Sequence, residues 1–202
     1  MDDADAGMAR RKGCGQVALR LTIETNFVIY GVSRNRFAVE IDELVELARA
    51  EVVALALTTA FEVDQERADD VKRARNLEWL RQRPVVTRVP QPGRWDYATW
   101  GPGSVFASTE LEAIRSEIDR IVLPTHYRVG TVAPDDPEYM RRWRRKVTDV
   151  QHLLAHHMSG NDAFVTSDQY DIVKKRDALR SAAGIVVYTF PEAVQRARAA
   201  NS

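Results

Sequence analysis

The sequence predicts an α/β fold in which helices cover a central parallel sheet. Three stretches have strand patterns: residues 17–23 alternate apolar and other side chains, residues 52–57 form an unbroken apolar run, and residues 163–165 form a short apolar run between polar residues. Amphipathic helical segments separate these stretches, and that alternation is typical of parallel sheets. Because parallel strands end at one edge of the sheet, we expect the polar side chains that follow them to meet there, where open α/β sheets bind ligands.

The helical segments are predicted from apolar residues at helical spacing. Residues 37–50 and 109–122 each carry one apolar face. Residues 67–81 are predicted as a helix with four residues turned inward, namely Val71, Ala74, Leu77 and Leu80. Further along, we expect a helix at about 172–182 and a last strand at 185–189.

The composition excludes some classes of protein. Lys and Arg together number 29, as do Asp and Glu, so no global charge attracts the chain to nucleic acid or to a membrane, and any basic surface must be local. The single cysteine, Cys14, excludes an internal disulfide framework and is typical of a reducing compartment, so we expect a cytoplasmic protein. No apolar run approaches the roughly 20 residues of a membrane helix, so no membrane partner is expected.

We expect one domain with an insertion. Residues 1–15 lack the apolar stretch of a signal peptide and are predicted to be a disordered lead-in, and residues 16–202 are predicted to form a single domain. An insertion is expected at about 84–146. Within it, residues 84–108 carry many of the Pro and Gly residues and predict little regular structure, as do residues 125–137.

Four acidic residues stand at corresponding places. Glu24 ends the first strand, and Glu62 opens the helix after the second. Asp149 opens the helix before the 163–165 strand, and Asp168 follows that strand. At one edge of a sheet, four carboxylates would repel one another unless a divalent cation compensates them, and carboxylate oxygens favour Mg²⁺ or Mn²⁺. Phosphodiester hydrolysis often uses such a cluster.

Each acid also has a purely structural explanation. Thr59 and Glu62 fit a capping box, and Thr148 could cap a helix whose dipole Asp149 then complements. Asp168 could cap the next helix. The coincidence of all four acids at one edge favours a shared site over these separate explanations.

Four segments resemble the PIN-domain (PilT N-terminus-like) family of metal-dependent ribonucleases. They are LTIETNFVIY, TTAFE, TDVQHLLAH and AFVTSD, and the first matches the family pattern of an apolar strand, an acid, Thr or Ser, Asn, and apolar residues. The resemblance covers about residues 17–82 and 147–190. It implies a PIN-like three-layer α/β/α fold with a central parallel sheet, the first strand in its centre, and a largely helical or irregular insertion.

The resemblance also implies an activity and a set of residues. The activity is that of a metal-dependent endoribonuclease that hydrolyses RNA phosphodiester bonds with Mg²⁺ or Mn²⁺. The catalytic, metal-binding acids would be Glu24, Glu62, Asp149 and Asp168. Around them, the resemblance implies polar residues that orient the acids and substrate, namely Asn26 and Thr166 or Ser167.

Two alternatives stay open. The first acid of the family is usually Asp, and Glu24 is longer by one methylene, so a catalytically inactive PIN-like domain that binds RNA or a protein partner is one alternative. The toxin component of a toxin–antitoxin pair, with an antitoxin-like protein partner, is the other. A homodimer is compatible with each of these functions.

A basic run precedes Asp149 and offers a substrate-binding surface. It consists of Arg141, Arg142, Arg144, Arg145 and Lys146. Charge runs are usually solvated helix faces, but this one leads directly to a predicted catalytic acid. Four aromatic residues could add stacking surfaces for single-stranded RNA or could instead pack the insertion onto the domain: Trp95, Tyr97, Trp100 and Trp143.

The remaining candidates are histidines and two further acids. His152, His156 and His157 have the spacing of helical zinc ligands, but no other Cys or His stands at zinc-ligand spacing, so a solvated helix face is favoured over phosphate contact and over zinc. Asp162 and Asp171 are predicted to be solvated loop residues, with Asp171 able to reach a metal through water.

Overall fold

The computed structural model describes residues 18–92, 108–124 and 136–201. Within these ranges, five strands form one parallel sheet in the order β3-β2-β1-β4-β5. Their bounds are β1 Leu19–Ile23, β2 Val53–Thr58, β3 Val86–Val89, β4 Ala163–Val165 and β5 Val187–Tyr188. The predicted α/β class with a parallel sheet is confirmed, and β1 lies in the centre of the sheet.

Helices connect the strands and cover both faces of the sheet. The α-helices of the described ranges are α1 Thr25–Ser33, α2 Ala38–Arg49, α3 Ala60–Glu66, α4 Asp70–Arg81, α5 Thr109–Val122, α6 Pro137–Ser159, α7 Arg176–Ala183 and α8 Phe190–Ala200. A short 3-10 helix, Val173–Lys175, precedes α7. None of these helices is long and apolar enough to cross a membrane.

The alternation of side chains along the strands divides the core in two. On β1 and β4, Leu21, Ile23 and Val165 pack with α1, α2, α4 and α8 on one face of the sheet. On the opposite face, Phe164 of β4 and Val187 of β5 pack with α5, α6 and α7. Because side chains alternate across a strand, β4 contributes side chains to the cores on both faces of the sheet. The result is a three-layer α/β/α arrangement.

Strand register aligns the carboxyl ends of the central strands. Ile23 of β1 pairs with Leu57 of β2 and with Val165 of β4. The residues that follow, Glu24 and Thr166, therefore lie side by side at the edge of the sheet, as expected for parallel strands.

Two elements in the amino-terminal half, β3 and α1, differ from the prediction made from the sequence. Residues 84–108 were expected to be irregular, but β3 (Val86–Val89) pairs with β2 at the edge of the sheet. The first helix expected after the first strand was that of residues 37–50, but a further helix, α1, precedes it and begins at Thr25. In both places the pairing or burial available in the folded chain overrides a local sequence preference.

The helix that carries Asp149 begins much earlier than predicted. Asp136 caps α6, accepting hydrogen bonds from the backbone N–H groups of Glu138 and Tyr139, with Pro137 in the first turn. Asp149 is therefore in the middle of the helix, where the dipole of the amino terminus no longer explains it. Thr148 is not a cap, because its hydroxyl donates to the carbonyl oxygen of Arg144.

The predicted inward face of α4 is partly wrong. Val71 is 70% exposed and Leu77 is 44% exposed, whereas Asn76, Trp79 and Leu80 are the buried residues of this helix. The indole ring of Trp79 is the largest apolar group on this helix, and its burial leaves Val71 and Leu77 exposed. Asn76 is buried with a partner, because its amide donates a hydrogen bond to Gln65.

Gly31 gives a stability prediction. A Cβ at this position would lie 2.3 Å from Cζ2 of Trp79, whose ring packs edge-on against Phe27 and lies under the guanidinium of Arg83. Gly31→Ala is expected to destabilise the protein by roughly 1–2 kcal/mol, because overpacking outweighs the better helix propensity of alanine. Denaturant unfolding measures the change, with the exposed Ser33→Ala on the same helix as control. An unchanged Gly31→Ala midpoint would show that the Trp79 ring can move away at no cost.

Candidate functional site

A cleft of about 910 Å³ opens at the carboxyl edge of the sheet, between α1, α3, α4, α6 and the turn after β4. Five carboxylates line it, from Glu24, Asp64, Asp149, Asp168 and Asp171. Three of the four acids predicted from the sequence are therefore in one cleft, and two further acids accompany them.

Glu24 is buried and held in place by its neighbours. Its Oε1 accepts a hydrogen bond from the Thr166 hydroxyl at 2.5 Å, and Asn26 Nδ2 lies 3.1 and 3.2 Å from the two carboxylate oxygens. Burial raises the pKa of Glu24, and the nearby Asp168 raises it further, while the charge of His152 and these hydrogen bonds oppose the rise. Asn26 and Thr166 thus fix the orientation of the Glu24 carboxylate.

The other predicted polar neighbour, Ser167, lies elsewhere. Its hydroxyl is hydrogen-bonded to that of Tyr30 at 3.2 Å, and it is not among the residues that line the cleft. Side chains alternate along the chain after β4, so Thr166 faces Glu24 and Ser167 faces away from it.

Asp149 is the acid most strongly affected by its surroundings. Burial raises its pKa well above the usual value, and the charges of Glu24, Asp168 and Asp64 raise it further, with Lys146 opposing them. With several other carboxylates nearby, the desolvated Asp149 has too little positive charge around it to stabilise its ionised form.

Asp168 and Asp171 complete a compact group with Asp149. One carboxylate oxygen from each of the three lies within 4.8 Å of the others. Asp168 Oδ1 accepts hydrogen bonds from the backbone N–H groups of Tyr170 and Asp171, at 3.0 and 2.9 Å, and this turn brings Asp171 back to the cleft. Lys146, one helical turn before Asp149, forms a salt bridge with Asp171. Asp171 is thus a member of the acidic group and not a plain loop residue.

Glu62, predicted as one of the metal-binding acids, does not join the other acids. Asp64 occupies the place in the cleft that was expected for Glu62. Glu62 is 45% exposed and its carboxylate is 3.9 Å from Arg88 of β3, outside the cleft. Glu62 and Asp64 are two positions apart in the sequence, which places them about 200° apart around the helix axis. Helix α3 can therefore turn only one of them to the cleft. The predicted capping box is absent as well, because the Thr59 hydroxyl accepts a hydrogen bond from the N–H of Gln91.

Asp64 is an ionised acid held by three groups. The Thr25 hydroxyl donates to its Oδ2 at 2.5 Å, and His152 Nε2 lies 3.4 Å from the same oxygen. Burial by itself would raise the pKa of Asp64, but His152, Thr25 and Arg67 together outweigh burial and lower it. Asp64 therefore differs from Glu24 and Asp149, whose pKa values are raised.

His152 is buried beneath the cleft and links the end of β2 to α1 and α3. Its Nδ1 is hydrogen-bonded to the Thr58 hydroxyl at the end of β2, and its Nε2 faces Asp64 and the Thr25 hydroxyl. It lies one turn after Asp149 on α6, so the same helix supplies an acid to the cleft and an imidazole that positions another acid.

The other two histidines also differ from the solvated face that was predicted. His156 is buried with its Nδ1 2.9 Å from the Thr22 hydroxyl, and burial lowers its pKa to about 4. His157 Nδ1 is 3.0 Å from the carbonyl oxygen of Ala183. Neither lines the cleft, so among the three histidines only His152 belongs to the surroundings of the site.

The basic run is divided by the geometry of α6. Arg145 and Lys146 line the cleft, four and three residues before Asp149. Arg141 and Arg142 form salt bridges with Glu138 and lie outside it, and Arg144 does not line it. Three cations that the sequence did not indicate complete the basic rim: Arg67, Lys72 and Arg75.

The predicted aromatic surfaces fall into two groups. Trp143 is buried among residues of α5 and α6, so it packs the helices together and offers no stacking surface. Trp95, Tyr97 and Trp100 lie outside the described residues.

Comparison with protein-family models, with curated proteins and with solved structures gives no match for this chain.

Proposed function

We propose that the protein is a metal-dependent endoribonuclease with a PIN-like fold. One observation carries the proposal: the carboxylates of Glu24, Asp64, Asp149, Asp168 and Asp171 converge in a single cleft at the carboxyl edge of a parallel sheet. Stability alone does not explain this arrangement, because like charges at short range raise the free energy of the folded state.

The residues of the cleft fit Mg²⁺ or Mn²⁺. Both ions prefer oxygen ligands, and ligand oxygens around one octahedral Mg²⁺ are about 3–4 Å apart. The oxygens of Asp149, Asp168 and Asp171 lie within 4.8 Å of one another, so small side-chain movements suffice for them to share an ion. The raised pKa values of Glu24 and Asp149 also fit, because a divalent cation would supply the positive charge that these carboxylates lack.

The five acids of the cleft would have different roles. Asp149 and Asp168, with Asp171, would hold the ion, and Glu24 would face it from the end of β1, fixed by Thr166 and Asn26. When bound, the metal would lower the pKa of a water molecule and offset the charge that develops on the phosphate. Asp64, held by His152 and Thr25, would orient water at the α3 side of the cleft.

The rim of the cleft would bind the RNA backbone. Arg67, Lys72, Arg75 and Arg145 surround the acids with positive charge, although the chain as a whole has none in excess. Phosphates next to the cleaved bond would lie against this rim while the acids hold the reacting group. The charge distribution therefore suits a polyanion. One of its phosphates would approach the acids with a metal ion between them, and neighbouring phosphates would contact the basic residues.

Incubating the purified protein with a labelled RNA tests the proposal. We expect cleavage in Mn²⁺ or Mg²⁺ that stops when EDTA is added, and products with 5′-phosphate ends, as the resemblance to PIN-domain ribonucleases implies. Binding of Mn²⁺ and RNA without any cleavage would favour the alternative of an inactive binding domain. Absence of both would contradict the proposal.

Arg145 and Arg141 give a matched pair of variants on one helix. Arg145→Ala is expected to weaken RNA binding and to reduce the slope of log affinity against log salt by roughly 0.7–0.9, the contribution of one phosphate contact. Arg141→Ala should change neither quantity, because Arg141 is paired with Glu138 outside the cleft. Fluorescence anisotropy at several salt concentrations measures both. Equal effects of the two variants would mean that the basic run acts as a diffuse charge.

A further inference from the structure

We propose that Tyr170 forms a nucleobase subsite at the rim of the cleft, on which an unpaired base of single-stranded RNA stacks. The inference rests on the proposed function for its substrate, and it adds the residue that would distinguish single strands from duplexes.

The exposure of Tyr170 is the first observation. It is 76% exposed, the highest value for any large hydrophobic residue in the described ranges. The other tyrosines described there, Tyr30, Tyr139 and Tyr188, are partly buried. An aromatic side chain buries roughly 150–250 Å² of surface when it packs, among the largest areas of any side chain. A ring left in water buries little of that area and contributes little to folding stability. Packing therefore does not explain Tyr170.

The position of Tyr170 is the second observation. It lines the cleft together with the acids, and its backbone N–H donates to Asp168 Oδ1 at 3.0 Å. Asp168 is itself anchored to the end of β4, because its N–H donates to the Thr166 hydroxyl at 3.0 Å. The same turn thus fixes an acid of the proposed metal centre and the exposed ring. A base stacked on the ring would belong to a nucleotide adjacent to the reacting phosphate.

Lys174 is the third observation. Its ammonium group lies 4.5 Å from the centroid of the Tyr170 ring, a cation–π distance. Lys174 lies against one face of the ring, and Tyr170 as a whole remains largely exposed to solvent. A ring supported on one side offers a platform for a single base, with a positive charge at hand for the phosphate of that nucleotide.

A stacking subsite at Tyr170 would select single-stranded RNA over duplex RNA. In a duplex, both faces of each base are covered by neighbouring pairs, so stacking on a protein ring requires an unpaired base. Every base has a π-face, so the subsite would be tolerant of sequence but selective for single strands. Basic residues of the rim would bind the backbone of either form, and the Tyr170 subsite would discriminate between them.

Binding in EDTA tests the subsite separately from the chemistry. The probes are a fluorescein-labelled single-stranded RNA and the same strand in a duplex, and the variants are Tyr170→Leu, which removes the ring, and Tyr170→Phe, which keeps it. Val39→Ala, an equally exposed apolar residue (73%) on α2 outside the cleft, is the control. We expect Tyr170→Leu to weaken single-strand binding by roughly fivefold to a hundredfold, the range for loss of one base stack, while Tyr170→Phe stays within about twofold of the wild type.

Each outcome bears on the subsite. A loss confined to the single strand, restored by Phe, supports it even if the protein cleaves no RNA, in which case only the proposed nuclease activity fails. No loss in Tyr170→Leu, an equal loss with the duplex, or no binding of single-stranded RNA by the wild type would overturn it. If metal-dependent cleavage is intact in the wild type while Tyr170→Leu binds normally, the subsite fails and the nuclease proposal stands.

Discussion

Replacing Asp149 by Asn is expected to abolish metal-dependent cleavage while making the metal-free protein more stable. Asp149 has the most strongly raised pKa of the cleft acids, because it is desolvated and faces Glu24, Asp168 and Asp64. An amide removes the charge and keeps the size of the side chain, so repulsion falls. Metal binding should fall as well, and with it the rate, by on the order of a hundredfold or more, since bound metals contribute several kcal/mol to such reactions.

The pH dependence follows from the direction of the shift. A carboxyl whose pKa is higher in the folded state than in the unfolded state destabilises the fold at neutral pH, and this destabilisation disappears as the pH falls below the unfolded value. The increase in melting temperature of Asp149→Asn should therefore be largest near neutral pH and vanish in acid. Thermal unfolding in EDTA at several pH values measures it.

A control separates this effect from a general change of charge. Asp177 is an exposed acid on α7 outside the cleft, so Asp177→Asn removes one negative charge without touching the site. It should leave cleavage and Mn²⁺ affinity unchanged. If Asp149→Asn lowered stability at neutral pH, or cleaved RNA at the wild-type rate, the assignment of Asp149 to a metal centre would be wrong.

The second large effect is expected from Asp64, with Glu62 as its matched control. Asp64→Asn should reduce cleavage strongly, because the carboxylate in the cleft at the α3 side is lost, whereas Glu62→Gln should leave the rate unchanged. The two acids are two residues apart on the same short helix, and only Asp64 lines the cleft. Equal loss in both variants would mean that α3 is oriented differently in the active protein.

Asp64→Asn should also change stability in the opposite direction to Asp149→Asn. The folded pKa of Asp64 is lowered, so its ionised form contributes stability that is present above the unfolded pKa and is lost as the pH falls through the folded value. Removing it should cost roughly 1.5–3 kcal/mol at neutral pH, the value of a hydrogen bond to a charged group. Denaturant unfolding at pH 7 compares the two variants directly.

The central part of the fold could be predicted because its signals are local. The alternation along β1 and the apolar runs of β2 and β4 are direct consequences of burial, and the acids that follow β1 and β4 are placed by strand direction alone. Glu24 and Asp168 were therefore found from the sequence. Asp149 was found for a partly wrong reason, since it lies in the middle of α6 and not at its start.

The rest depends on contacts between distant segments. β3 is a short edge strand next to Pro84 and Pro90, and only its pairing with β2 identifies it. Whether α3 turns Glu62 or Asp64 to the cleft is decided by the Thr25 hydroxyl and His152, which are far away in the chain. His152 itself looked like one of three similar histidines, and its burial against Thr58 has no signature in the local sequence.

Diffraction from crystals soaked in Mn²⁺, with anomalous scattering to locate the ion, tests the metal centre most directly. We expect at least one Mn²⁺ in the cleft, bonded to carboxylate oxygens of Asp149 and Asp168, with Glu24 or Asp171 beside it. Glu62 should make no contact with the ion. An anomalous map without a peak in the cleft at millimolar Mn²⁺, in crystals where the acids are accessible to solvent, would contradict the proposal that these carboxylates form a metal site.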